Sequence, residues 1–481
     1  TLHHLQEAGL AQFDPANGSL DAHPLVREYF AAQLKTQQPA AWQAGHKRLY
    51  QHLKTTTPEF PDTLDGLQPL YQAVTHGCQA GLYQDACVEV YRDRILRGDK
   101  AFSVKKLGAF GADLGAVAAF FVEPWRRLHP GLSDDDQAWL LHEAAFRLRA
   151  LGRLTEALEP IRTGAETFIQ QKNWGNAATS YSNLSELQLT LGRRQDASSS
   201  AELAVGYADQ SKDAFQRTIC RTTLADAQHQ TGHRGAALAL FQAAETLQVE
   251  DQPEYPLLYS LQGIQYCDCL LAPLERQVWQ RVLQGLQLQK QTGLQISHGA
   301  SADVEIASKP APMRSHEAGT HVDLQAIAQR ASQTLQWAEI NRAYLLDIAL
   351  DHLTLARCAL YADLLQDRAP GEEANTHAQA AVSGLRKAGT LDHLPRGLLT
   401  RAQLYHALGQ DDEARADLDE VEHIASRGGM KLHLADLTLT RARLFTDPTQ
   451  LPLARKLIEE CGYWRRREEL ADAEQILTSH P

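Results

Sequence analysis

The sequence predicts an all-α fold in which pairs of helices repeat along the chain as a solenoid. At 481 residues the chain exceeds what one compact core normally organises, whereas a repeat array has no such limit. Alanine, leucine and glutamine dominate the composition and β-branched residues are scarce outside short runs, which favours helix. A glycine followed five residues later by an alanine recurs at Gly81/Ala86, Gly152/Ala157, Gly192/Ala197, Gly232/Ala237 and Gly409/Ala414, and the middle three glycines lie 40 residues apart.

Each glycine of this series is predicted to end one helix, and each alanine to lie inside the next. Glycine adopts the left-handed geometry of a helix C-terminus without steric cost, and alanine lets two helices cross closely. Seven residues before the four later glycines stands another small side chain, at Ala145, Ser185, Ala225 or Ala402, whereas Val74 occupies that position in the first unit. The small positions and the glycine together define a helix–turn–helix unit.

This unit resembles the tetratricopeptide repeat, and its period is similar to that of the longer helix-pair repeats at the C-terminal ends of bacterial STAND-type regulators. The resemblance implies a right-handed superhelical solenoid, with roughly seven to nine helix pairs between about Ala40 and Leu477. Between Gly293 and His321 the sequence is rich in Ser, Ala, Gly and Pro and lacks helical periodicity, which predicts a loop-rich insertion. We therefore expect repeats over 37–287, the insertion over 288–325, and further repeats with a C-terminal capping helix over 326–481.

The first 36 residues predict a helix, a short hairpin and a second helix. Residues 14–19 carry the hairpin turn signal, and Pro24 suits the first position of a helix. The apolar stripe of this second helix consists of Leu25, Val26, Tyr29, Phe30 and Leu34. The segment resembles the end of the winged-helix domain that closes the nucleotide-binding module of STAND NTPases of the NB-ARC and NACHT kind.

That resemblance places His23 where the NB-ARC histidine reaches the β-phosphate of bound ADP, although Ala22 and Pro24 replace the methionine and aspartate of the family motif. The alternative is a structural histidine that caps a helix at a domain junction. Because the chain opens with Thr1, we expect a fragment whose nucleotide-binding domain lies upstream in cis. ADP or ATP with Mg would then belong to that upstream module, and no cofactor is expected in this chain.

Composition argues against two classes of partner. A net charge of −12 and a pI near 5.9 disfavour nucleic acid, whose phosphates require a basic face. The longest apolar stretch, residues 114–122, is about half of the roughly 20 residues that a membrane span needs. Seven scattered cysteines in helical surroundings indicate a reduced, cytoplasmic protein in which they fill small buried positions.

No catalytic signature is found: the sequence lacks a phosphate loop, a nucleophile elbow and a dinucleotide fingerprint. The nearest candidate is the segment His316-Glu317-Ala318-Gly319-Thr320-His321, but a zincin needs its two histidines four residues apart on a helix. We predict no enzyme and no metal site, and keep a metal-dependent enzyme that uses residues 316–321 as a remote alternative.

The first helix of each pair lines the concave face in tetratricopeptide arrays, and this position predicts a ligand site. The inward positions are His142, Phe146, Arg149, Ser182, Glu186, Thr222, Asp226, His229, Arg396, Gln403 and His406. This mixed polar set suits a protein or peptide ligand, or a polar small molecule. Charge reversal at Arg149 and Glu186 is expected to weaken the response to ligand while changing stability by less than about 1 kcal/mol, as substitutions of exposed, solvated residues usually do. The alternative is that many of these positions are simply solvated and bind nothing.

Near the C-terminus, Tyr463, Trp464 and the arginines at 465–467 combine residue types that are enriched in binding hot spots. The alternative, which we favour, is a capping helix with a charged outer face, as solenoids need for solubility.

The leading functional hypothesis is a non-catalytic, ligand-sensing and autoinhibitory arm of a STAND-type signalling ATPase in bacterial defence or transcription regulation. A free-standing tetratricopeptide adaptor that scaffolds protein partners is the alternative.

Overall fold

The computed structural model of the protein describes residues 2–15, 19–292, 317–340 and 344–478. The chain divides into two compact units, which we treat separately. Unit 1 comprises Thr1–Lys100 and His129–Ser133, and unit 2 comprises Ala101–Leu128 and Asp134–Pro481.

Unit 1 opens with helix α1 (Leu2–Glu7), the antiparallel strands β1 (Ala11–Asp14) and β2 (Ser19–Ala22), and helix α2 (Pro24–Gln37). Its remaining helices are α3 (Pro39–Thr56), α4 (Leu64–Gln79), α5 (Tyr83–Asp85), a π-helix over Ala86–Leu96 and a 3-10 turn over Gly98–Lys100. The helix, hairpin and helix expected over residues 1–36 are confirmed, whereas their assignment to a winged-helix domain stays a prediction.

Helix α2 leaves its apolar stripe uncovered. None of its residues is buried, and Leu25, Tyr29 and Phe30 are 68%, 60% and 56% exposed. His23 is the N-cap residue of this helix, but its side chain makes no capping hydrogen bond. Unit 1 therefore presents an apolar helix face to solvent.

Unit 2 begins with short elements: α6 (Phe102–Lys105), α7 (Phe110–Ala118), and the paired strands β3 (Phe121–Glu123) and β4 (Arg127–Leu128). The long helices that follow are α8 (Asp134–Ala150), α9 (Leu154–Gln170), α10 (Trp174–Thr190), α11 (Arg194–Ser211), α12 (Ala214–Gln230), α13 (Arg234–Asp251), α14 (Ser260–Thr292), α15 (Glu317–Ile340), α16 (Leu345–Leu365), α17 (Glu372–Ala388), α18 (Leu394–Ala407), α19 (Asp411–Gly428), α20 (Lys431–Leu444), α21 (Leu451–Cys461) and α22 (Arg467–Leu477). From α8 to α21 the described helices pack as seven successive pairs. The predicted all-α solenoid of helix pairs is confirmed.

The glycine–alanine series behaves as the sequence predicts. The five glycines lie at turns with φ between 73° and 85°, in the left-handed region. Every alanine five residues later is fully buried. A second 40-residue series, which involves no glycine, places Lys172 and Lys212 at φ 58° and 60° in the turns between pairs. The first three regular pairs therefore share one geometry at both kinds of turn.

The predicted insertion over 288–325 is wrong at both edges. Helix α14 continues to Thr292, and α15 already begins at Glu317. Leu324 and Ile327 of α15 are buried against the next helices, so this stretch belongs to the core despite its weak sequence signal. The segment 293–316 lies outside the described residues.

Unit 2 closes on itself, because turns of the first pairs pack against the later part of the chain. The amide of Leu391 donates a hydrogen bond to Ala150 O at 2.7 Å. A Cβ on Gly192 would overlap Cys461 Sγ, and one on Gly232 would lie 3.0 Å from Trp464 Cβ. The turn glycines thus also permit close contact between distant repeats.

Candidate functional site

Closure of unit 2 forms a polar cavity, partly open to solvent, with a volume of about 110 Å³. Its walls come from α8, α10, α12, α14, α16, α18 and α20, and from the 3-10 turn Trp464–Arg466 that precedes α22. Six arginines and six carboxylates line it, an unusual density of charge for an interior. A set of helices from the beginning, middle and end of the solenoid therefore meets at one site.

The repeat itself places the first lining residues. Glu186 and Asp226 lie one 40-residue period apart, and Arg149 and Gln265 lie on the flanking helices α8 and α14. Equivalent helices of successive units project residues in the same direction, so each of these four helices places a polar side chain at the cavity.

Arg149 joins three of these elements. Its guanidinium lies 2.7 Å from Glu186 Oε2 and 2.8 Å from Asp392 Oδ2, and Gln265 Nε2 donates to Glu186 Oε1 at 3.2 Å. Burial opposes the charge of Arg149, but Glu186 and Asp392 outweigh it and raise the pKa of the guanidinium. The expectation that Arg149 and Glu186 are solvated is wrong, because closure covers both with the later repeats.

A second charged cluster lies at the C-terminal wall. Asp268 and Glu275 of α14 are paired with Arg357, at 2.7 Å and 3.2 Å respectively, and with Arg465, which approaches Glu275 to 3.0 Å. Arg466 Nη1 lies 3.0 Å from Glu275 Oε1. Burial would raise the pKa of Asp268, but the neighbouring arginines hold it well below its usual range.

This cluster corrects the interpretation of residues 463–467 as a charged outer face. The side chains of Arg465 and Arg466 are only 5% and 9% exposed, and Tyr463 is buried; Trp464 and Arg467 face solvent. Both guanidiniums reach Glu275, so both side chains lie inside unit 2. The buried carboxylates of α14 that pair with these arginines were not predicted from the sequence. The signal for them is a row of polar residues at 265, 268 and 275 on an otherwise apolar helix.

Five of the predicted concave residues line the cavity. These are Arg149, Glu186, Asp226, Arg396 and Gln403. They come from four helices, and Arg396 and Gln403 lie two turns apart on one face of α18. Their predicted position on an inner face agrees with the cavity lining, and their role in ligand binding stays a prediction.

The other predicted residues fill structural positions outside the cavity lining. His142 Nδ1 lies 3.2 Å from Ser180 Oγ, and Phe146 packs against Phe110. Ser182 Oγ pairs with Thr223 Oγ1 at 2.7 Å.

Thr222 and His406 have local partners, whereas His229 is held by burial. Thr222 donates to Ile219 O at 2.7 Å, and His406 pairs with Asp411 at 2.7 Å near the surface. His229 is buried with its Nε2 3.9 Å from Asp268 Oδ2, and desolvation together with Arg465 lowers its pKa to about 3. It is therefore a neutral imidazole.

Two further predicted sites are His23 and the segment His316–His321. His23 is exposed beside the hairpin, and its nucleotide-sensing role stays a prediction. The segment His316–His321, the remote candidate for a metal site, is not tested. His316 and the side chains of residues 317–321 lie outside the described part of the chain. Within the described ranges, no group of three or more His, Cys, Asp or Glu is arranged to hold a metal ion.

All seven cysteines are buried with free thiols, which confirms their predicted role as small core residues. Burial raises the pKa of the Cys220 and Cys358 thiols to about 12. These thiols are consequently protonated and unreactive near neutral pH.

In the part of the chain that the structure covers, no helix combines the length and the apolar character required to cross a bilayer.

Comparison with known proteins identifies no family. No protein-family model matches the sequence, and no curated protein matches it. Among solved structures, the chain is similar to a Rap protein crystallised in complex with Competence and Sporulation Factor, at 10% identity and a TM-score of 0.47, over 84% of this chain and 88% of that one. The geometry of the chain itself defines its class: an all-α helical-repeat protein that contains a charged cavity.

Proposed function

We propose that this chain is a non-catalytic ligand-binding module, and that the cavity inside unit 2 is its binding site. One observation carries the proposal: Gln265 Oε1, Asp392 Oδ1, His393 Nδ1 and Gln403 Nε2 line the cavity, are buried, and have no hydrogen-bond partner among the described residues. An unsatisfied buried polar atom costs about 1–3 kcal/mol. A bound polar molecule would satisfy several of these atoms together.

The position of the cavity explains how binding would be transmitted. Its lining residues belong to helices at both ends of the solenoid, so a ligand that contacts α12 and α18 stabilises the closed arrangement over the open one. Ligand binding shifts a two-state equilibrium by its difference in affinity for the two states. A signal at the cavity would thereby reach both ends of unit 2.

The wider assignment, an autoinhibitory arm of a STAND-type ATPase, draws its support from unit 1. The exposed apolar face of α2 is the kind of surface that marks an interaction site. An upstream nucleotide-binding module with ADP or ATP and Mg is the occupant that the winged-helix resemblance suggests. A phosphate-loop motif upstream in the parent gene is expected under this assignment, and its absence would favour the free-standing adaptor.

Ligand screening by thermal unfolding tests the central proposal. Peptides and polar metabolites are screened for compounds that raise the Tm of the wild-type chain, and hits are repeated with Gln403→Leu and with the exposed control Gln325→Leu. We expect stabilisation that Gln403→Leu removes and Gln325→Leu retains. Stabilisation that survives in both variants would place the site elsewhere.

A further inference from the structure

Of the charged side chains that line the cavity, one arginine and one carboxylate form no ion pair with the described residues. Arg149, Arg357, Arg443, Arg465 and Arg466 each have a carboxylate within 4.0 Å. Arg396 forms no such ion pair with the described residues. Glu186, Asp268, Glu275, Asp392 and Asp436 are likewise paired with arginine, whereas Asp226 has no cation within 4.0 Å in the described ranges.

From this we infer that the cavity binds a compact zwitterion, whose anionic group pairs with Arg396 and whose cationic group pairs with Asp226; the inference rests on the proposed binding function. Both residues line the same cavity, from α18 and α12. Their charges attract each other, yet they are not in contact. A molecule with two opposite charges inserted between them would compensate both.

Neighbouring unsatisfied atoms match the two ends of such a ligand. Gln403 Nε2 is a donor two turns from Arg396 on α18 and can share a carboxylate with the guanidinium. Asp392 Oδ1 and Gln265 Oε1 are acceptors suited to the N–H groups of an ammonium. Asp226 already accepts from Gln230 Nε2 at 2.7 Å, which fixes its carboxylate in place.

The size of the cavity limits the ligand. A volume of about 110 Å³ has room for roughly seven to eleven waters. This corresponds to about ten non-hydrogen atoms, the size of a free α-amino acid. An α-amino acid also carries its carboxylate and ammonium on one carbon, which fits a site where both charges are required.

Calorimetric titration with the common α-amino acids tests the inference. For each binder, the carboxamide and the N-acetyl form remove one charge at a time, and short peptides separate the two charges. We expect at least one free amino acid to bind, and both blocked forms to bind about ten- to hundredfold more weakly.

Two variants that each remove one charge test which residue contacts each end of the ligand. Arg396→Met and Asp226→Asn are each expected to weaken binding of the free amino acid by about ten- to hundredfold. Arg396→Met should leave binding of the carboxamide nearly unchanged, and Asp226→Asn that of the N-acetyl form. Because neither residue is ion-paired, circular dichroism should show both variants folded; Arg415→Met, on the outer face of α19, controls for loss of an arginine.

The outcomes separate the inference from the proposed function. Binding of a peptide or an uncharged metabolite that depends on Gln403, without binding of amino acids, overturns the zwitterion and retains the binding module. A high-resolution crystal structure in which ordered waters alone satisfy the cavity, with no ligand found by either screen, overturns both.

Discussion

Removal of Arg465 tests whether the buried charge cluster holds the closed form of unit 2 together. Its guanidinium contacts Asp268 through both terminal nitrogens, approaches Glu275 to 3.0 Å and lies 3.4 Å from Gln230 Oε1. These contacts connect the C-terminal 3-10 turn to α12 and α14. Arg465→Ala should therefore destabilise unit 2.

The expected magnitude follows from what remains after the substitution. Breaking a buried ion pair by removing one partner costs about 3–5 kcal/mol. Asp268 would keep Arg357 at 2.7 Å, and Glu275 would keep Arg357 at 3.2 Å and Arg466 at 3.0 Å. Because both carboxylates retain an arginine, we expect the lower end of that range, about 3 kcal/mol.

Urea unfolding followed by circular dichroism measures this cost. Arg467→Ala is the matched control, because it removes a neighbouring arginine that is exposed and should cost less than about 0.5 kcal/mol. Arg465→Lys keeps the charge but not the planar fork, and should fall between the two. If Arg465→Ala cost no more than Arg467→Ala, the cluster would not stabilise the closed form and the reasoning would be refuted.

Three further predictions concern packing, electrostatics and pH. Gly192→Ala should cost about 1–3 kcal/mol more than Gly409→Ala in urea unfolding. Both glycines have φ near +76°, but only at Gly192 would the new Cβ meet other side chains, those of Cys461 and Lys431. Equal costs would show that the contact between distant repeats adjusts without loss of stability. Arg149→Met should lower the free energy of unfolding by about 3–5 kcal/mol, since it strands two buried carboxylates, and a loss below 1 kcal/mol would restore the solvated interpretation. Burial, with a smaller effect of a neighbouring carboxylate, raises the pKa of Asp351 from 3.8 to about 7; the folded state therefore binds this proton more tightly than the unfolded state, and stability falls as pH rises from about 4 to 7. Asp351→Asn should gain about 3 kcal/mol relative to wild type between pH 5 and pH 8, and parallel pH profiles for the two proteins would contradict this.

The sequence predicted the local features of the fold well, because they depend on few neighbours. A glycine at a helix end and an alanine at a helix crossing are required by geometry within one repeat, and Gly152 and Ala157 show both. The helix that begins at Pro24 follows from proline chemistry in the same way. Such features can be inferred from short segments.

Closure could not be predicted in this way. Closure depends on the total of the small rotations between successive helix pairs, and this total cannot be inferred from any short segment of the sequence. The error at Arg149, Arg465 and Arg466 has this origin: charged residues were assigned to solvent by their usual behaviour, but the later repeats cover them. The inward position of Asp226 and Gln403 could be predicted from repeat position alone, whereas their surroundings come from distant helices.

The contact between the Gly192 turn and Cys461 also bears on how this protein can evolve. In an open array each repeat touches only its neighbours, so units can be duplicated or deleted with little effect on the rest. Here the turn of one early pair fits a partner more than 260 positions away in sequence. Insertion or loss of a 40-residue unit between them would move the Gly192 turn away from Cys461 and break this contact. Closure therefore fixes the number of repeats.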